Sequence, residues 1–84
     1  MATPDDVSAL PDPRRYRQMA SDIRALIVSG QIVPGAPAPT ISELSVSYHA
    51  ARQTCAKALQ LLVKEGLLAR YPGAGYYVIS NRPR

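Results

Sequence analysis

Apolar residues recur at intervals of three and four in several stretches of the chain, the pattern of one helix face. In the clearest stretch the inward positions are Cys55, Ala58, Leu59 and Leu62, and the stretch ends at Gly66. Glycine there predicts a helix end, because it adopts the left-handed conformation of a C-cap without steric cost. The opposite face carries Arg52, Gln53, Ala56, Lys57, Gln60 and Lys64. The sequence thus predicts an amphipathic helix with a basic and polar outer face.

A second, shorter helix is predicted just before it. Thr40 and Glu43 have the spacing of a capping box, in which each side chain accepts a hydrogen bond from the backbone amide of the other residue. Ile41, Leu44 and Tyr48 then form an apolar stripe, and the turn between the two helices falls near residues 49–51. Two helices joined by a short turn, the second exposing polar side chains at its start, form the arrangement that enters a DNA major groove.

The segment before this pair predicts a supporting helix. Asp12 suits the N-cap and Pro13 the first helical position, and the apolar periodicity continues to about Ser29, where Gly30 ends it. Four arginines lie off the apolar stripe and are interpreted as a solvated face, with direct phosphate contact as the alternative: Arg14, Arg15, Arg17 and Arg24. Residues 31–39 form a proline-containing loop, whose extended part near residues 36–38 is expected to add a short strand beside a C-terminal hairpin.

This hairpin is predicted from two β-prone runs, at residues 67–71 and 76–79, that flank a Pro-Gly-Ala-Gly turn. Three helices followed by a two-stranded hairpin define an α+β, mainly α fold, the winged helix-turn-helix. We assign residues 12–80 to this domain, residues 1–11 to a disordered tail and residues 81–84 to a frayed basic end.

Composition favours an intracellular domain, and its basic charge is compatible with either a polyanion partner or solubility alone. The chain has 84 residues, which predicts one domain. All ten Lys and Arg residues lie from residue 13 onwards against three acidic residues, a net charge of +7 for that part. A single cysteine cannot form an internal disulfide, and neither a membrane-spanning run nor a signal peptide is recognisable. We therefore expect a cytoplasmic, nucleoid-associated protein that makes no membrane contact.

The order of these features resembles the DNA-binding domain of the GntR family of bacterial transcription regulators, from about Arg15 to Val78. The residues that carry the resemblance are Tyr16-Arg17-Gln18-Met19-Ala20, Ile27, Ser29, Gly30, Pro34-Gly35, Pro39, Glu43, Leu44, Arg52, Thr54, Ala58, Leu59, Glu65-Gly66-Leu67-Leu68, Gly73 and Gly75. The resemblance implies a winged-helix transcription regulator, which we expect to be a stand-alone domain and a repressor.

Several positions depart from the family pattern. His49-Ala50-Ala51 stands where the family usually has Gly-Val-Ser, so the serine that caps the recognition helix is missing. Histidine is among the few residues that tolerate the positive φ that the glycine would adopt. Ala56 and Ala74 replace basic residues common in the family, and a family base contact on the second helix falls at Ser42. The family usually adds a C-terminal effector and dimerisation domain, whereas this chain ends directly after the wing.

Candidate DNA contacts follow from these positions. Arg52 and Gln53 are predicted to read base edges, because arginine pairs bidentately with guanine and glutamine with adenine. Contacts with the DNA backbone are predicted for Ser42, Thr54, Lys57, Arg70, Gly73 and Gly75. Cys55 is expected to be a small buried hydrophobe, and His49 has no neighbouring metal ligands.

Two further interpretations stay open on the sequence alone. The missing cap, together with Ala56 and Ala74, is compatible with a protein-interaction module on a winged-helix scaffold, with Ala50 and Ala56 forming an exposed docking patch. The chain is alternatively a fragment of a larger regulator, although Met1 and the leader favour a complete small protein. No catalytic constellation, cofactor or small-molecule effector is expected. Double-stranded DNA is the expected partner, bound by a homodimer or with a protein co-regulator.

Overall fold

A computed structural model describes residues 13–83 as three helices followed by an antiparallel hairpin. The elements are α1 (Pro13–Val28), α2 (Ile41–Tyr48), α3 (Arg52–Lys64), β1 (Leu68–Tyr71) and β2 (Gly75–Val78). This order confirms the predicted winged helix-turn-helix. The predicted tail, the Asp12 cap and Arg84 lie outside the described residues.

The core forms where α1 crosses α3 and the hairpin closes one end. Met19, Ile23 and Ile27 of α1 are buried against Leu59 and Leu62 of α3. Further fully or almost fully buried positions are Ala20, Cys55, Ala58, Leu67, Leu68 and Val78. All of them are small or aliphatic, so the amphipathic stripes of the two long helices supply most of the core. The sequence predicted these stripes correctly.

Helix α2 is held at both ends by local geometry. The amide of Glu43 donates to Thr40 Oγ1 at 3.0 Å, and the amide of Thr40 donates to Glu43 Oε1 at 2.9 Å. The predicted capping box is thus present. At the other end His49 adopts φ 50 and ψ 46, and its amide donates to the carbonyl of Ser45. The left-handed histidine turns the chain sharply between α2 and α3, as expected for the position that the family fills with glycine.

Helix α3 begins without a side-chain cap and ends at a glycine. Ala51 occupies the N-cap position with φ −62 and ψ 147, and no side chain bonds to the first amides. Gly66 follows the helix with φ 83, as predicted. Glu65 at the end of α3 interacts unfavourably with the helix dipole. Arg24 of α1 neutralises its charge by donating to both carboxylate oxygens, at 2.7 Å and 2.5 Å.

This ion pair corrects the interpretation of the arginines on α1 as a solvated face. Arg24 ties the C-terminal half of α1 to the end of α3, with the two side chains 31% and 25% exposed. Arg15 donates to the carbonyl of Tyr48 at the end of α2. At least these two arginines therefore hold the helices together.

The wing pairs Leu68 with Val78 and Tyr71 with Gly75 in antiparallel register. The loop after α1 lies along its free edge, where Pro37 forms a single bridge with Tyr77. The amide of Ala38 donates to the carbonyl of Tyr76 at 2.9 Å, and the amide of Gly35 to that of Val78 at 2.8 Å. The expected short strand near residues 36–38 is present only as this isolated bridge, because the amide of Ala36 donates to the carbonyl of Val33 at 3.0 Å instead of continuing the ladder with β2.

Candidate nucleic-acid interface

The first turn of α3 stands clear of the core. Arg52 and Gln53 are exposed, whereas Cys55, Ala58 and Leu59 of the same helix are buried. An Nη atom of Arg52 donates to Ser42 Oγ on α2 at 3.2 Å. This contact joins the start of α3 to the first turn of α2, ten positions earlier in the sequence. The predicted base-reading side chains therefore lie on the free surface of the domain.

Next to Arg52 lies a basic cleft of about 330 Å³ between the helix pair and the wing. Its lining residues are Pro37, Ala38, Thr40, Ile41, Ser42, Arg52, Arg70, Tyr71, Gly73, Ala74, Gly75 and Tyr76. Two of these side chains are cationic and none of this lining is acidic. A concave surface lined by one sign of charge attracts the opposite sign, here an anion such as a phosphate-bearing polymer.

The tip of the wing exposes backbone. Gly73 and Gly75 have φ 80 and φ 98, and beyond their chain neighbours no atom lies within 4 Å of where a Cβ would stand on either residue. The amide of Ala74 closes the turn by donating to the carbonyl of Tyr71 at 2.9 Å. The positive φ angles explain why the turn uses glycine, and the open space around both residues allows a ligand to approach the backbone.

Lys57 lies away from the cleft, on the side of α3 that faces α1. Its ammonium group is 6.0 Å from the centre of the Tyr16 ring, and the guanidinium carbon of Arg17 is 5.9 Å from the same centre. Two cations thus share one aromatic ring, a favourable arrangement for each of them with the ring. The exposed residues among the predicted backbone contacts consequently form two groups, one in the cleft and one beside Tyr16.

Thr54 departs from its predicted place on the surface, because it is only 3% exposed. A side chain so buried offers little to a phosphate, so Thr54 does not belong to the exposed interface. The apolar spacing contains a signal for this burial, since residues 51, 54, 55, 58 and 62 follow one helical stripe. The predicted docking patch at Ala50 and Ala56 is also absent as such, because both alanines are half-buried.

Cys55 and His49 have structural roles, Cys55 in the core and His49 in the turn before α3. Cys55 is completely buried, and this burial raises the pKa of its thiol. It behaves as the small hydrophobe expected from its position. Within residues 13–83, no cluster of three or more His, Cys, Asp or Glu side chains is arranged to hold a metal ion.

One polar cluster was not recognised from the sequence. Tyr48 Oη donates to Asp22 Oδ2 at 2.6 Å, and the side-chain amide of Gln18 donates to Asp22 Oδ1 at 2.9 Å. Burial, together with the hydrogen bond to Asp22, raises the pKa of Tyr48 to about 12. This cluster braces α2 against α1 and so fixes the platform from which α3 projects.

Fold and surface together define a winged helix-turn-helix domain whose recognition helix is free and flanked by cations. Residues 15–78 match the family described as bacterial regulatory proteins, gntR family. The chain belongs to this family. The match covers the core, the helix pair and the wing, so the family assignment rests on the whole domain.

Two curated relatives are repressors of carbohydrate metabolism. The mannosyl-D-glycerate transport/metabolism system repressor MngR of Escherichia coli is 39% identical over 67 residues, covering 80% of this chain and 28% of the relative. The arabinose metabolism transcriptional repressor of Geobacillus stearothermophilus is 34% identical over 70 residues, covering 83% and 19%. The chain therefore spans less than a third of the length of either relative.

Solved structures include DNA complexes. The DNA-binding domain of AraR in complex with operator ORE1 superposes with a TM-score of 0.74 at 36% identity, covering 82% of this chain and 80% of that one. YtrA from Sulfolobus acidocaldarius, a GntR-family transcription factor, superposes with a TM-score of 0.70 at 35% identity, covering 77% and 55%. Among the described helices of the present domain, none has the length and apolar character required to cross a membrane.

Proposed function

We propose that this domain binds double-stranded DNA in a sequence-specific manner and acts in transcriptional repression. The observation that carries the proposal is the exposed pair Arg52 and Gln53 on the first turn of α3, beside a cleft with two arginines and an acid-free lining. In helix-turn-helix proteins this part of the second helix enters the major groove. The proposed role is binding rather than catalysis, and the protein would act in the cytoplasm, at the nucleoid.

Each surface group has a distinct role in this proposal. Arg52 pairs with the O6 and N7 atoms of a guanine, and Gln53 with an adenine, so these two residues specify sequence. Arg70, Gly73 and Gly75 bring the wing to the DNA backbone or minor groove. Lys57 binds a phosphate on the opposite flank of α3.

The relatives support the direction of regulation and the ligand. MngR and the arabinose regulator are named repressors, and the similar AraR domain is bound to operator DNA in its crystal structure. We extend both properties to this chain. Because a single winged helix makes few phosphate contacts, the proposal includes a homodimer on two half-sites roughly 10 base pairs apart, or a protein co-regulator that supplies the second contact.

The experiment is a selection of bound duplexes from a random DNA pool, followed by affinity measurements on the enriched sequence. Arg52→Ala removes the proposed guanine contact and is expected to lower discrimination between the enriched and a scrambled duplex by about 5-fold to 150-fold, the worth of one bidentate base contact. Arg82→Ala is the matched control, because it removes the same charge from an exposed position outside the cleft.

The result that contradicts the proposal is a wild-type protein that enriches no sequence. Equal loss of discrimination in Arg52→Ala and Arg82→Ala would assign the effect to charge alone. A protein-interaction role predicts a different outcome, in which binding to a partner protein persists at high salt while DNA binding is absent. DNA binding itself should weaken steeply as salt rises, because phosphate contacts release counterions.

A further inference from the structure

We propose that Ser42 is a positioning residue for Arg52: its hydroxyl holds the guanidinium in the orientation that reads a guanine. The inference rests on the proposed function and assigns to Ser42 an indirect role in place of a direct backbone contact. The observation is the hydrogen bond of 3.2 Å from Arg52 Nη1 to Ser42 Oγ, which joins two helices across ten positions of the sequence.

Both partners of this hydrogen bond have fixed backbones. Ser42 lies in the first turn of α2, between Thr40 and Glu43, whose reciprocal hydrogen bonds hold that turn. Arg52 is the first residue of α3, directly after the turn that His49 sets with φ 50. Both side chains therefore start from helical backbone, so neither the Ser42 hydroxyl nor the Arg52 Cα is positioned by a loop.

Holding the side chain matters because arginine has many rotamers. A free arginine loses rotamer entropy when its side chain is fixed. A single hydrogen bond to Ser42 restricts the guanidinium before DNA arrives, so part of that entropy is already lost in the free protein. Affinity and selectivity both gain when a binding group is preorganised in this way.

A hydroxyl is the suitable partner for this task. The guanidinium has five N–H donors, so one bond to Ser42 leaves an edge with two parallel donors for O6 and N7 of guanine. A carboxylate would also orient Arg52, but it would compete with the DNA for the cation and repel phosphate. The lining of the basic cleft indeed contains no Asp or Glu. The neutral oxygen orients the charge and leaves it available.

The test is a double-mutant cycle on the enriched duplex, with Ser42→Ala, Arg52→Ala and the double variant. Ser42→Ala should weaken binding by about twofold to tenfold, the range for one net hydrogen bond, and should relax the preference for guanine at the same position as Arg52→Ala. In the Arg52→Ala background the same serine change should have no effect. Ser42→Thr, which keeps the hydroxyl, should restore binding. Ser47→Ala makes the same chemical change on an exposed face of α2 outside the cleft and should bind like wild type.

The possible results separate the inference from the function on which it rests. An equal loss of affinity on Ser42→Ala in the wild-type and Arg52→Ala backgrounds would mean that Ser42 contacts DNA by itself. No loss of affinity in either background would mean that Ser42 has no role in binding. Both results overturn the inference while the proposed function stands. Failure of the wild type to select any sequence overturns both.

A measurement without DNA checks the positioning directly. The side-chain Nε–H order parameter of Arg52 should exceed that of the exposed Arg82 in the free wild-type protein, and should fall to the Arg82 value in Ser42→Ala. Equal order of the two arginines in the wild type would also overturn the inference.

Discussion

Restoring a serine cap to α3 should stabilise the domain. Ala51 already has the extended backbone of an N-cap, φ −62 and ψ 147, but its methyl group cannot accept a hydrogen bond from the amides of the first turn. In Ala51→Ser the new hydroxyl can accept from the amide of Gln53, whereas the amide of Thr54 already donates to the carbonyl of Ala51 at 3.0 Å. A cap of this kind contributes about 1 kcal/mol, within a range of roughly 0.5 to 2 kcal/mol.

For a domain of this length, about 1 kcal/mol corresponds to a rise of about 4 to 8 °C in the unfolding midpoint. The assay is urea unfolding followed by far-ultraviolet circular dichroism, with the slope compared between variants, together with a thermal scan. Ala56→Ser is the matched control. It makes the same change at a half-buried alanine inside α3, beyond the first turn, and should be neutral or slightly destabilising.

A gain in Ala51→Ser with none in Ala56→Ser would establish that α3 lacks its cap in this chain. An unchanged or lower midpoint in Ala51→Ser would refute the reasoning, because it would mean that the serine hydroxyl gains no hydrogen bond from the amide of Gln53. A change in the urea slope would instead indicate an altered unfolded state, and the free energy would then have to be taken from the thermal data.

Three further predictions concern the core, the hydrogen bond between Tyr48 and Asp22, and the wing. Leu59→Ala, at a completely buried position, should lower the free energy of unfolding by about 2 to 5 kcal/mol in urea, and a loss below about 1 kcal/mol would contradict the close packing of α1 against α3. Because the pKa of Tyr48 is raised to about 12, the hydrogen bond from Tyr48 to Asp22 contributes to stability below pH 10, and this contribution is lost as the pH rises toward 12. Tyr48→Phe should flatten this fall in the free energy of unfolding. An identical pH profile in the variant would exclude the Tyr48–Asp22 hydrogen bond as its source. Arg70→Ala should weaken binding to all duplexes alike and reduce the slope of log affinity against log salt by about 1, whereas a loss confined to one sequence would mean that the wing reads bases.

The features of this fold that are set by residues adjacent in the sequence could be predicted from the sequence. The capping box at Thr40 and Glu43, the helix end at Gly66 and the left-handed turn at His49 each need only a few adjacent residues. The apolar periodicity likewise identified the buried faces of α1 and α3. Consequently the helix order, the wing and the exposure of Arg52 follow from local chemistry.

Pairs that lie far apart in the sequence could not be predicted in the same way. Arg24 and Glu65 are 41 positions apart, and Asp22 and Tyr48 are 26 apart, so no periodicity links them. Each of these residues alone is equally compatible with a solvated surface. Thr54 is a different case, because its helical spacing placed it on the buried stripe and its hydroxyl favoured the surface interpretation.

The most direct test of the central claim replaces the guanine that Arg52 is proposed to read with 7-deazaguanine, which removes the N7 acceptor and leaves base pairing intact. Binding should weaken for the wild type and stay unchanged for Arg52→Ala, so that the modified base and the variant are not additive. If the wild-type affinity is insensitive to 7-deazaguanine at every guanine of the selected sequence, recognition of a base through Arg52 is contradicted.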